Sequence, residues 1–172
     1  MLRPRFALAL ALVLVVRASA STAAAPYPGA HLRPQSPRIM AWLARGVDRS
    51  ATMRGLVDRI ERGDVVVYLE IERRLGPDIS ACVTFMAAVP GARYVRVSIR
   101  PDLRAADTVA MLAHELQHVV EVIDHPDVRS DDDLAALYRR IGHATGWTGR
   151  TWDTAAALRA GDLARNDYVT GA

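Results

Sequence analysis

The spacing of apolar positions changes twice along this chain, and the changes divide it. From Arg38 to Arg62 the apolar residues Ile39, Met40, Trp42, Leu43, Val47, Met53, Leu56, Val57 and Ile60 recur at intervals of three and four. That spacing is helical. The stretch Gly46–Ser50 predicts a break into two helices, and Gly63 predicts their stop. The spacing then shortens. "VVVYLEIE" (Val65 to Glu72) is β-branched and aromatic, "RRLGPD" reads as a turn, and "ISACVTFMAAV" (Ile79 to Val89) reads as a second strand buried on both faces. "PGA" is a tight turn into "RYVRVSIR", where Tyr94, Arg96, Ser98 and Arg100 alternate with Val95, Val97 and Ile99. Three strands joined by short turns predict an antiparallel meander.

After Pro101 the helical spacing returns and runs to about Asp124. Asp102 or Asp107 is positioned to cap its start, and Pro126 ends it. Leu112, Leu116, Val119 and Ile123 form its core-facing stripe. "SDDDLAALYRRIGH" is a further helix with Ser130 as N-cap, three aspartates complementing the N-terminal dipole and two arginines near its end. The loop "ATGWTGRTW" leads to a last helix from about Asp153 to Tyr168. The expected fold class is therefore α+β: N-terminal helices, a three-stranded antiparallel sheet, a long helix, then two further helices.

The beginning of the chain follows neither period. "FALALALVLVV" (Phe6 to Val16) is unbroken apolar sequence behind Arg3 and Arg5, and "ASASTAAA" follows it. This predicts a secretory signal peptide over residues 1–25, cut after Ala20 or Ala25. The run is shorter than the roughly 20 residues that span a bilayer. The expected mature protein is thus periplasmic or extracellular, with no integral membrane segment. Residues 26–37, rich in proline, are expected to be a linker, and residues 38–172 a single domain. His31, in the linker, reads as a surface residue.

The leader also changes the charge balance. The chain has 22 basic residues, all arginine, against 19 acidic ones. Three of the arginines lie in the leader, so the mature domain is neutral and no nucleic-acid partner is implied. Cys82 is the only cysteine. No internal disulfide can form, and Cys82 reads as a small core residue.

The chemistry lies in "AHELQHVVEVIDH" (Ala113 to His125). His114 and His118, four apart on a helix, share a face and can converge on one ion. Glu115 beside the first of them can take a proton from a metal-bound water without ligating the metal. Bound Zn²⁺ brings the pKa of that water to about 7 and polarises a carbonyl, which is what hydrolysis of a peptide requires.

Three strands, a helix bearing "HELQH" and further helices resemble the zincin metallopeptidases. The resemblance covers roughly Val65 to Tyr168 in organisation, and its specific part is the five-residue motif. It implies a zinc-dependent peptidase acting on a peptide or protein substrate, with His114 and His118 as ligands and Glu115 as general base. It also implies that the strand beside the active helix, here Arg93–Arg100, pairs with an extended substrate.

The third ligand separates the branches of that family. Metzincins break the helix with a glycine three residues after the second histidine and take a ligand six residues after it. Here those positions are Glu121 and Asp124, on an unbroken helix that turns Asp124 away. Glu121 shares the histidine face but lies about 10 Å along the axis from His114, at 1.5 Å per residue. It is better suited to accept an N–H from a ligating histidine or to pair with an arginine. His125 complements the helix C-terminus.

A gluzincin-like glutamate from a later helix is absent, since no Glu follows Glu121. An aspzincin-like aspartate is present: Asp153, ahead of alanines small enough for close helix packing. Asp153 reads equally well as an N-cap. His143 is the next candidate, as ligand or transition-state donor, and Tyr138, Arg140 and Tyr168 are further candidates for stabilising an oxyanion. The competing readings are a non-catalytic metal-binding or protein-binding domain that retains the zincin fold, and a metal-free helical domain whose histidines pair with arginines.

Overall fold

A computed structural model describes residues 29–76, 78–145 and 151–171. The expected leader lies outside the described residues. Five helices and a mixed four-stranded sheet form the body, with a small two-stranded sheet near the C-terminal helix. No helix among the described residues is long and apolar enough to cross a membrane.

The chain enters through β1 (Leu32–Pro34), inside the segment expected to be only a linker. Two contacts make this stretch structural. Leu32 is 2% exposed, and the Glu61 carboxylate accepts the backbone N–H groups of Ala30, His31 and Leu32. His31 is not free on the surface either, since its Nδ1 donates to the Ile60 carbonyl at 3.0 Å. α1 (Pro37–Arg49) and α2 (Ala51–Glu61) follow, broken at Ser50 as the spacing predicts. Ser50 ends the first helix and caps the second, its hydroxyl accepting from Met53 N–H.

β2 (Val65–Ile71), β3 (Ala81–Val89) and β4 (Ala92–Ile99) are the three expected strands, but they do not form an antiparallel meander. The sheet order is β1-β2-β4-β3; β1, β2 and β4 run parallel, and only β3 is antiparallel to its neighbour. "RRLGPD" is part of a longer connection that carries β3 past β4 to the sheet edge. There the Pro90–Gly91 turn, with Gly91 at φ 81°, folds β4 back between β2 and β3. Burial explains the order. Val65, Val67, Leu69, Val95, Val97 and Ile99 are all 0% exposed, so β2 and β4, whose core-facing side chains are buried completely, take the centre and pair in parallel. β3 is not buried on both faces: among its residues only Phe85 is buried. Cys82 is half-buried rather than a core residue.

α3 (Ala105–Asp124) crosses the sheet and packs on α5 (Ala155–Thr170) along its other side. Leu112, Leu116 and Val119 are fully buried. Neither expected aspartate caps its start: Asp102 pairs with Arg100, Asp107 with Arg165, and Arg104 occupies the cap position without a side-chain hydrogen bond. Its C-terminal end is held instead by Arg93, which is 1% exposed. The Arg93 guanidinium donates to the carbonyls of Val122 (2.7 Å) and His125 (2.8 Å) and makes a two-pronged pair with Asp64 at 2.9 and 2.7 Å. A cation thus meets the carbonyls that a helix end leaves unpaired. Asp64's pKa is held below the usual carboxylate value, first by its hydrogen bonds from Arg93.

α4 (Asp131–Ile141) starts at Ser130, whose hydroxyl accepts from Asp133 N–H as expected. Between α4 and α5 the loop forms a hairpin, β5 (His143–Thr145) with β6 (Thr151–Asp153). Its central part, residues 146–150, lies outside the described residues.

Candidate metal centre

Three elements bring the site together. α3 supplies His114, Glu115, His118 and Glu121, which are 8%, 4%, 5% and 7% exposed. The helix passes under both the sheet and α5, so this polar face is desolvated by tertiary packing. β6 ends on Asp153, directly before the cap of α5. That helix approaches α3 closely because Ala157, Ala160, Gly161 and Ala164 face it. At Gly161 a Cβ would stand 3.2 Å from the Ala110 carbonyl and 3.5 Å from His114 Cβ.

Asp153 therefore reaches both histidines. Its Oδ1 lies 2.7 Å from His114 Nε2 and 3.6 Å from His118 Nε2. The ligand atoms of the three residues lie within 4.8 Å of one another, and the group could hold a metal ion. Donor chemistry fits. Two nitrogens and an oxygen, each about 2.0–2.1 Å from a tetrahedral ion, stand roughly 3.3 Å apart, and the two observed distances bracket that spacing. Asp153 Oδ1 is also buried without a hydrogen-bond partner, although His114 Nε2 is close. The two atoms approach without hydrogen-bond alignment, as atoms that face a common point do. The N-cap that Asp153 might have provided falls to Thr154, whose hydroxyl accepts from Ala157 N–H at 3.0 Å.

Glu121 stands outside the ligand group, as its height on the helix requires. Its Oε2 is 2.8 Å from His118 Nδ1, and its Oε1 accepts from the Thr154 hydroxyl at 2.6 Å. A carboxylate at Nδ1 places a proton there and turns Nε2 toward Asp153. Burial opposes a charged His118 ring, but Asp153 and Glu121 outweigh it and push its pKa up to about 9. Asp153 shows the reciprocal effect: burial acts to raise its pKa, and the two imidazoles more than offset this and hold it well below the usual range. Burial raises the pKa of Glu115, partly opposed by His118 and His114.

The remaining sequence candidates separate clearly. Tyr138 packs edge-on against His118, with ring centroids 4.9 Å apart, and its hydroxyl donates to the His118 carbonyl at 3.3 Å. Burial pushes its pKa well up. His143 is the register partner of Asp153 in the hairpin, but its side chain is exposed and it is not in the ligand group. Arg140 is exposed, and Tyr168 carries the Arg49 guanidinium over its ring. Asp124 pairs with Arg59, and His125 Nδ1 donates to the Glu121 carbonyl at 2.7 Å.

The site opens into a cavity of about 800 Å³. One wall is β3, through Ala81, Cys82 and Val83; Met111, Leu134 and Leu158 give it apolar surface. The strand expected to pair with substrate, Arg93–Arg100, is central in the sheet and hydrogen-bonded on both sides, so it has no free edge. The edge strands are the three-residue β1 and β3, and of these β3 borders the cavity. Composition misled here, because an alanine-rich apolar run reads as interior. Thr154 was missed as well, although a threonine three residues before a helical N–H is a legible cap signal. No family model matches the sequence, and no curated protein and no solved structure matches the chain.

Proposed function

We propose that this protein is an exported zinc-dependent peptidase of zincin type, with His114, His118 and Asp153 as the metal ligands. The observation that carries the reading is the convergence of these three side chains beside Glu115, at the floor of a cavity bounded by an open sheet edge. Three protein ligands that leave a coordination position open are the pattern of a catalytic zinc site, whereas structural sites fill all four. A zinc ion held there supplies Lewis acidity, lowering the pKa of a coordinated water to about 7 and polarising a carbonyl.

The other roles belong to this chain's own groups. The buried Glu115 carboxylate, with its raised pKa, accepts a proton and returns it to the leaving amine. β3 offers its unpaired edge to an extended peptide, which would lie as a fifth strand along the cavity. Cavity residues Met111, Leu134 and Leu158 receive apolar side chains of that peptide.

One observation favours a second reading, a metal-binding domain without catalysis. The Tyr138 hydroxyl, the oxyanion candidate whose ring packs against His118, is already donated to a backbone carbonyl. The test combines composition and turnover. Purified mature chain should contain about one zinc per chain, and it should hydrolyse unfolded protein. A chelator and Glu115→Gln should each reduce the rate at least about a hundredfold. Stoichiometric zinc without hydrolysis selects the second reading, and a zinc content far below one eliminates both.

A further inference from the structure

We infer that Thr154 is a positioning residue that couples the third ligand to the orientation of the second, a role that rests on the metal-site reading above. The residue is 3% exposed and bonded on both sides of its hydroxyl. The oxygen accepts the Ala157 N–H at 3.0 Å, capping α5. Its proton is then directed to Glu121 Oε1 at 2.6 Å, and Glu121 Oε2 takes His118 Nδ1 at 2.8 Å. The chain Thr154–Glu121–His118 is buried throughout.

The arrangement has two consequences for the ion site. A buried Glu121 without the Thr154 donor would keep one oxygen unpaired and lose the contact that fixes its side chain. His118 would then lose the fixed acceptor that orients its ring and keeps the Nε2 lone pair on the ion. Thr154 also follows Asp153 directly, so the bond that sets His118 sets the backbone position of Asp153 too. The α5 start therefore orders two ligands through one hydroxyl, one by covalent adjacency and one through Glu121.

Cobalt(II) binding by the full mature chain tests this without any turnover. Thr154→Val should weaken Co²⁺ binding about 10–100-fold and alter the visible absorption of the bound ion, while Thr154→Ser should stay within about threefold of the parent. If the valine variant does not fold, Thr154→Gly serves, because glycine is tolerated at an N-cap at a cost of only a few tenths of a kcal/mol. In a Glu121→Ala background the same change at 154 should have little further effect on affinity, since the link it acts through is gone. Imidazole NMR of the zinc-loaded chain gives a second readout: the His118 Nδ1 proton, protected in the parent, should exchange rapidly in Thr154→Val and not in Thr154→Ser.

A folded Thr154→Val or Thr154→Gly chain with parental affinity and a protected Nδ1 proton overturns the inference. An equal loss in the Glu121→Ala background does so as well, since it marks a capping effect alone. A parent chain that takes up no cobalt overturns the metal-site reading and this inference together. Parental metal binding with no peptide hydrolysis overturns catalysis and leaves this inference supported by the Thr154 results.

Discussion

At the residue scale the candidate site is a buried set of imidazoles and carboxylates drawn close together. In the metal-free chain His118 has a pKa of about 9, above the ordinary histidine value of 6.5, because Asp153 and Glu121 stabilise its imidazolium. A group whose folded pKa is raised contributes stability that is fully present below about 6.5 and is lost as pH rises through about 9. The melting temperature of the chelator-treated protein should therefore fall between these limits, and His118→Gln should flatten that part of the profile. A metal ion competes for the same nitrogen, so zinc uptake at pH 7 should release about one proton per ion, measured by titration calorimetry in buffers of different ionisation enthalpy. Uptake without proton release would show that His118 is already neutral at that pH in the metal-free chain, or that it does not meet the ion. Much of this was legible beforehand: His114, Glu115 and His118 declare themselves by their spacing, and Glu121 by its height on the same face. Asp153 was the first candidate for the third position through the family resemblance, and the structure brings it to the histidines, but its residue pattern alone left the choice even, because a lone aspartate ahead of a helix has the same signature whether it caps or faces an ion. The cap went to Thr154, and Asp153 turned to the histidines.

At the element scale two close approaches hold the ligands in register. Gly142 ends α4 against the β5–β6 hairpin, where a Cβ would meet the Asp153 carbonyl at 2.7 Å and the Tyr138 carbonyl at 2.9 Å. Both neighbours are backbone, so Gly142→Ala must move the hairpin. It should weaken cobalt binding about tenfold or more even though residue 142 touches no ligand side chain. Unchanged affinity would mean that Asp153 is placed by α5 alone. The other approach is Arg93 at the end of α3. Arg93→Met removes donors from the Val122 and His125 carbonyls and leaves Asp64 without its partner. Asp64 is itself 46% exposed and rehydrates, so the loss is that of charge-assisted hydrogen bonds and should cost about 1–3 kcal/mol in urea unfolding. The alternation of β4 set Val95, Val97 and Ile99 on the core side but left Arg93 unassigned, since an arginine at the start of a strand reads as an edge charge. Its role depends on which helix end arrives above it, and no local pattern contains that information.

At the scale of the whole molecule the site ties the last third of the chain to the middle, since α3 and β6 are joined there by polar contacts that an ion would replace. Zinc at a hundred times its dissociation constant would add about 2.7 kcal/mol to folding. For a chain of this size that raises the melting temperature by roughly 5–10 °C. Melting in the presence of zinc and of chelator measures it, and identical curves would count against an ion bridging these elements. What the sequence determined by itself was local: helices where apolar residues recur every three or four positions, strands where they alternate, the helix break at Gly46–Ser50, the Ser130 cap, and two histidines one turn apart on the same face. Strand order was different in kind. The same three strands satisfy their pattern equally well in a meander or with β4 inserted beside β2, and the choice rests on which pair buries its apolar faces most completely. That choice puts β3 at the edge beside the cavity and removes β4 from reach of a ligand. The third member of the ion group was likewise settled only in three dimensions. The small residues of α5 allow it to lie against α3, and that approach brings Asp153 to two histidines more than thirty residues earlier in the chain.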